Sequence, residues 1–257
     1  MKNKRCAIFG FGYLGRPLAE KLHQSGWQLA AVKRSLTSDD INLPLDLRAA
    51  DMNGSDELQT AFRDWRGFDC WVFLLPPSSV EDYVGSVRQW AEAAQEGKIG
   101  HLVLASSISV YGSRSRLCDE YSLPEAETRS AQKIVAAEEI VRGSSVPNRD
   151  IFRLGGLYCA QRHPLSRLIG RSQIVGGRQR VNMLHRERAV NSLAYGAEHA
   201  DGLRIRNLVE NRHPSRAEFY AAEAAKFGLP APEFLDDGGE GKTVCTAYTD
   251  FADYLAV

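Results

Sequence analysis

The sequence predicts an α/β fold: a doubly wound parallel sheet with helices on both faces, and a smaller C-terminal α/β lobe. Three observations predict it. The stretch Cys6–Gly15 sets four apolar residues before glycines at GxGxxG spacing (Gly10, Gly12, Gly15), and an amphipathic segment follows. Strand and helix signals then alternate through the first 155 residues, as βαβ units require. After about Tyr158 the character changes, with seven arginines between Arg162 and Arg188 against one acid, Glu187.

Cys6 to Phe9 reads as a buried strand. Leu14, Leu18 and Leu22 recur at i, i+4, i+8 and predict a helix ending at Ser25-Gly26, with Gly26 just past the last turn. Trp27–Val32 is the second strand. A loop containing Asp46 and Asp51 follows, then a short helix over Asp56–Trp65. Asp69–Leu75 is a continuous apolar strand closed by Pro76-Pro77. Val80–Gln95 is a helix ending at Gly97, and His101–Ala105 is the next strand. Thr128–Arg142 is helical, with Ala131, Val135, Ala136 and Ile140 as its apolar stripe. Asp150–Leu154 is a strand. Beyond it a helix over Ala189–Glu198, a strand over Leu203–Leu208 and a helix over Ser215–Phe227 are predicted. The expected division is a Rossmann-type dinucleotide-binding domain over residues 1–158 and a smaller substrate-binding lobe over 159–257, in one continuous fold.

The 257 residues are 44% hydrophobic and 25% charged, ordinary for a soluble globular protein. Lys+Arg and Asp+Glu both number 32, which argues against a dedicated nucleic-acid or membrane-surface protein. Five cysteines (Cys6, Cys70, Cys118, Cys159, Cys245) are odd in number, widely spaced and without CxxC pairs. Free thiols in a reducing compartment are expected, and no metal site. No apolar run reaches the roughly 18 residues of a membrane span. Met1-Lys2-Asn3-Lys4-Arg5 leads into the first strand without a signal-peptide apolar region, so a cytoplasmic location is expected.

A glycine fingerprint between a first strand and a first helix is where a dinucleotide binds. Gly10 permits the tight turn, Gly12 lets backbone approach a pyrophosphate, and Gly15 lets helix and strand pack closely. Tyr13 and Leu14 complete that candidate loop. Asp51 and Leu75 are further candidate cofactor contacts. After the second strand, where an NAD site carries an acid for the ribose 2′-hydroxyl, the chain reads Lys33-Arg34-Ser35. Two cations and a hydroxyl suit a 2′-phosphate and predict NADP rather than NAD; a solvated basic loop is the alternative. The basic segment 162–188 is either a solvated face or a site for an anionic substrate, with Arg178, Arg180 and His185 as candidate ligands.

Strand His101–Ala105 runs into Ser106-Ser107-Ile108-Ser109-Val110-Tyr111-Gly112. With the glycine fingerprint this resembles the extended short-chain dehydrogenase/reductase superfamily, of the sugar-nucleotide epimerase/dehydratase type. Asp119-Glu120 with Pro124, Lys133 with Glu138, Arg153-Leu154-Gly155-Gly156-Leu157-Tyr158 and Val181–His185 resemble later family stretches in the right order. The glycine spacing departs from the usual GxxGxxG of extended members. The resemblance implies a serine that orients substrate, a tyrosine that moves a proton, and a lysine that binds the nicotinamide ribose and lowers the tyrosine pKa. Ser107 matches the serine and Lys133 the lysine. The tyrosine belongs four residues before that lysine, where this chain has Arg129, and no Tyr-x-x-x-Lys occurs anywhere in it. An arginine is a poor proton donor at neutral pH but can anchor an anion. Tyr111 is either a substitute acid or a packing residue beneath the site.

Two functions follow from the resemblance. One is an NADP-dependent oxidoreductase or epimerase acting on a small anionic or nucleotide-sugar-like substrate. The other is a catalytically weak NAD(P)-binding sensor or regulator.

Overall fold

The computed structural model describes residues 3–40 and 43–256; the Met1-Lys2 part of the N-terminal reading lies outside them. The elements in chain order are β1 (Arg5–Phe9), α1 (Gly15–Gln24), β2 (Gln28–Lys33), β3 (Asp46–Ala49), α2 (Asp56–Asp64), β4 (Cys70–Phe73), α3 (Tyr83–Glu96), β5 (His101–Ser107), β6 (Leu117–Cys118), α4 (Arg129–Gly143), β7 (Asn148–Leu154), β8 (Gly156–Tyr158), β9 (Met183–His185), α5 (Arg186–Glu198), β10 (Leu203–Leu208), α6 (Arg216–Lys226), β11 (Thr243–Val244) and α7 (Ala252–Leu255).

Seven strands form one sheet in the order β10-β7-β5-β4-β1-β2-β3, and every pairing in it is parallel. The order reverses between β1 and β4, which opens a crevice at the carboxyl ends of the strands. Central strands of such a sheet are covered on both faces, so they read as unbroken apolar runs. Cys70–Phe73 is buried at every position. On one face α2, α3 and α4 cover a cluster that includes Phe9, Phe62, Trp65, Trp71, Phe73 and Trp90. Phe9 lies 5.1 Å from Trp71, ring to ring, at the centre of that cluster. On the other face α1 and α5 bury Leu18, Leu22, Leu193 and Ala194.

The helices start where their caps place them. Leu58 donates its backbone N–H to Ser55 Oγ (3.2 Å) at α2, and Ala131 to Thr128 Oγ1 (3.1 Å) at α4. Gly26 ends the first helix with φ +84°. The loop expected around Asp46 contains β3, an edge strand with no apolar run to reveal it. The chain from Gly156 onward builds a lobe from the β8–β9 pair, α6 and a turn over Pro164–Arg167. It also returns to the main sheet, because β10 pairs with β7 from Leu203↔Arg149 to Leu208↔Leu154. Among the described residues no helix is long and apolar enough to cross a membrane.

Candidate functional site

A cleft of about 1170 Å³ lies at the carboxyl ends of the strands, between the sheet and the lobe. Its sheet side is made by Gly10–Leu14, Val32–Ser35, Ala50–Met52, Leu74–Pro77 and Ala105–Ser107. The glycine loop is tied to β2, with Phe11 N–H donating to the Val32 carbonyl at 3.0 Å. Gly10 has φ +110°, and a Cβ there would come within 3.1 Å of Leu75 Cγ. A Cβ on Gly15 would collide with the Gly10 carbonyl oxygen, whereas one on Gly12 would meet nothing within 4 Å. Gly12 therefore borders open cleft.

Helix α1 begins directly behind this loop. Its N-cap position, Leu14, supplies no side-chain acceptor. Each of α2 to α6 has such an acceptor: Ser55, Asp82, Thr128, His185 and Ser215. Arg16 donates its N–H to the Gly12 carbonyl (3.1 Å), Pro17 has none and Leu18 donates to the Leu14 carbonyl (3.0 Å), so among the described residues the N–H groups of Leu14 and Gly15 are the ones left at this helix start. Free N–H groups and the positive end of the helix dipole suit a phosphate. The loop therefore fits a dinucleotide pyrophosphate.

At the β2 end of the cleft, Lys33 is not free. Its Nζ lies 2.5 Å from Asp40 Oδ2. Thr37 donates to the same oxygen from its backbone N–H (2.8 Å) and Oγ1 (2.7 Å). The Lys33 hydrogen bond, then those from Thr37, hold the Asp40 carboxyl down to about 2. Arg34 and Ser35 are exposed on the cleft wall. Asp51 also lines it, accepting from Asn53 N–H (2.9 Å) and Nδ2 (2.8 Å).

Of the proton-transfer candidates, Ser107 lines the cleft, and its Oγ accepts from Ser109 N–H at 3.1 Å. Tyr111 does not reach it. It is fully buried, donating to Asn207 Oδ1 (2.9 Å) and accepting from Arg153 Nη1 (2.8 Å). Burial raises its pKa. Tyr111 is a packing residue under the floor. Arg153 in turn grips Glu138, Nη2 to Oε2 at 2.6 Å, and Glu138 accepts from Ser106 Oγ.

Helix α4 corrects the reading of Arg129 and Lys133, for neither lines the cleft. Ser130 and Ile134 do, one turn apart. One residue along a helix is a rotation of about 100°, and burying Glu138 against Arg153 fixes which face looks inward. The phenols that do line the cleft, Tyr13 and Tyr83, are both raised by burial, Tyr13 to about 12. Neither is poised to exchange a proton at neutral pH.

Arg178 and Arg180 do not line the cleft either. They border a separate hollow of about 240 Å³ and face acids there: Arg178 lies 3.8 Å from Asp236, and Arg180 lies 3.3 Å from Glu240. His185 caps α5 with its ring 5.2 Å from Tyr158, again off the cleft. Two arginines of the same basic segment that sequence reasoning did not single out, Arg162 and Arg167, do line it. Arg162 lies over the Tyr13 ring at 4.9 Å, and Arg186 lies 5.3 Å from that ring.

No family model matches the chain. Among curated proteins it is 30% identical to protein YeeZ of Escherichia coli K12, over 94% of this chain and 91% of YeeZ, and equally to YeeZ of E. coli O157:H7. Among solved structures it is similar to MoeE5 in complex with UDP-glucuronic acid and NAD, with TM-score 0.80 and 22% identity over 98% of this chain and 92% of that one. It is also similar to UDP-glucuronic acid 4-epimerase from Bacillus cereus in complex with NAD, with TM-score 0.79 and 17% identity over the same shares. At these identities the solved structures show the fold.

Proposed function

Since this chain belongs to the family of YeeZ and has the fold of the extended short-chain dehydrogenase/reductase superfamily, we propose that it is a nicotinamide-dinucleotide-binding protein whose cleft also takes a small anionic ligand, and that it acts as a sensor or regulator. The observation that carries this reading is the inward face of α4. It presents Ser130 and Ile134, one turn apart, and not Arg129 or Lys133, so the tyrosine and lysine that the resemblance implies have no counterpart on that face. A positioned general acid contributes about 10²–10⁴-fold in rate, so its loss removes about 3–5 kcal/mol of barrier lowering. Dinucleotide binding has separate support in the open space at Gly12 and the uncapped start of α1. Ser107 on the cleft favours one second reading, slow hydride transfer with a bound water as proton source.

NADP is the preferred cofactor in this reading, and Arg34 is the residue that selects it. Lys33 is committed to Asp40, whereas Arg34 is exposed and, among the described residues, has no carboxylate within 4.0 Å. A charge-assisted hydrogen bond contributes about 1.5–3 kcal/mol, a preference of about tenfold to a hundredfold. Charge balance and unpaired thiols fit a cytoplasmic location.

The test is calorimetric titration of wild type and Arg34→Asp with NADPH and NADH, beside an NADPH-consumption assay on a panel of carbonyl compounds. Tighter NADPH binding, lost in Arg34→Asp, with negligible turnover supports the reading. Equal affinities would refute the cofactor preference. Robust turnover would refute the sensor.

A further inference from the structure

The dinucleotide accounts for the sheet side of the cleft and leaves the lobe side unexplained. A volume of about 1170 Å³ exceeds the roughly 300–1,000 Å³ of a site for one small molecule, so a second occupant has room. The lobe wall comes from residues 160–167, from Ile169, and from Phe227 and Leu229, just past α6. Its chemistry is of two kinds.

One is unpaired positive charge. Among the described residues neither Arg162 nor Arg167 has a carboxylate within 4.0 Å, whereas Arg178, Arg180 and Arg188 of the same basic segment each face one. Asp51, on the opposite wall, is the one acid among the described cleft residues. His163 adds no charge. Its Nδ1 accepts from Leu165 N–H (3.1 Å), which puts the proton on Nε2, 3.2 Å from Glu223, and burial lowers its pKa.

The other is open apolar surface. Ile169, Phe227 and Leu229 remain 41%, 42% and 38% exposed, and all three line the cleft. Phe227 is steadied by the His163 ring at 5.5 Å. Exposed large apolar groups gathered beside a cavity mark a binding surface. A sugar's hydroxyls would find only Gln161 and Ser166 as uncharged polar side chains there besides His163, which is already bonded.

We propose that the lobe wall binds a small amphiphilic anion: an aromatic or branched apolar body against Phe227, Leu229 and Ile169, with a phosphate or carboxylate on Arg162 and Arg167. This rests on the reading that the dinucleotide occupies the sheet side, and it names the class of the second ligand. A nucleotide sugar, with its hydroxyl-rich body, is the disfavoured occupant.

The test is calorimetry with four probes, inorganic phosphate, 1-naphthyl phosphate, 1-naphthoate and UDP-glucose, each into the protein alone and into protein saturated with NADPH. 1-Naphthyl phosphate is expected to bind at least tenfold tighter than inorganic phosphate and tighter than UDP-glucose, with or without NADPH. The double variant Phe227→Ser/Leu229→Ser removes that gain while NADPH affinity is unchanged, and Arg167→Met weakens every anionic probe. Either order of 1-naphthyl phosphate and 1-naphthoate supports the proposal and identifies its head group. Equal binding of the naphthyl and inorganic phosphates, a gain that survives the double variant, displacement of 1-naphthyl phosphate by NADPH, or tightest binding of UDP-glucose overturns it. Failure of the dinucleotide reading shows separately, as absent NADPH binding with probe binding intact.

Discussion

Gly12→Val separates the fold from the site. A Cβ at Gly12 meets nothing within 4 Å, and the Gly12 backbone is not left-handed, so the unliganded protein has room for the branched side chain. The change in stability should stay within about 0.5 kcal/mol, as for other substitutions that touch nothing. That is about 1–2 °C in Tm for a chain of this size. The three added carbons, however, fill the space where a pyrophosphate would approach the start of α1. Wild type at a cofactor concentration one hundred times Kd gains about 2.7 kcal/mol by mass action, hence about 5–11 °C. Gly12→Val should show less than about 2 °C of that gain. Gly15→Val is the control of opposite sense. Its Cβ collides with the Gly10 carbonyl oxygen and comes within 3.3 Å of Ile8 Cγ2. Such overpacking costs about 1–3 kcal/mol and should lower the unliganded Tm by about 2–12 °C. Differential scanning fluorimetry with and without NADPH reads all three proteins. A full cofactor shift in Gly12→Val would refute the placement of the pyrophosphate.

Glu138 and Arg153 are each 2% exposed, so Glu138→Leu alone should cost about 3–5 kcal/mol by stranding the guanidinium. Urea denaturation should find Glu138→Leu/Arg153→Met less destabilised than the sum of the single changes, and additive losses would disprove the coupling. Asp40 is ionised more readily in the folded protein than in the unfolded chain, its carboxyl lying at about 2 against an ordinary 3.8. Its contribution to stability is therefore complete above pH 3.8 and lost as the pH falls to about 2. The Tm difference between wild type and Asp40→Asn should be widest above pH 3.8 and close on acidification; a constant difference would show that the carboxylate's charge is irrelevant.

The sheet was legible because its central strands are buried on both faces and carry unbroken apolar runs, as Cys6–Phe9 and Cys70–Phe73 do. The edge strand Asp46–Ala49 was not, since half-exposed residues carry no such run. In the glycine loop the turn at Gly10 and the close packing at Gly15 were legible, and Gly12 stands at open space. The inward face of α4 was misread for a physical reason. The helix buries Ala131, Ile134, Ala137, Glu138 and Val141, and a buried carboxylate looks like a solvent-facing one until its partner is known. Arg153, fifteen residues away, is that partner. Arg129/Lys133 and Ser130/Ile134 share the same four-residue spacing, so spacing could not choose between them. The signal that could have chosen is the stripe Ala131, Ile134, Ala137, Val141 with Glu138 accepted into it. Arg162 and Arg167 were hidden among arginines of the same segment, because the carboxylates that neutralise Arg178 and Arg180 come from Asp236 and Glu240, far along the chain.

The return of β10 to the sheet has a consequence for synthesis. A ribosome releases the glycine loop first and Leu203–Leu208 much later. Until then β7 presents an unpaired edge, and Asp150, fully buried in the finished protein, lacks the two 2.6 Å hydrogen bonds that Arg204 supplies. An open parallel edge invites pairing with the wrong chain. A fragment cut at residue 158 would carry the whole glycine loop and still be an aggregation-prone intermediate. A split point that leaves the sheet whole in the first fragment therefore belongs after Leu208, once the sheet has closed on its own late strand.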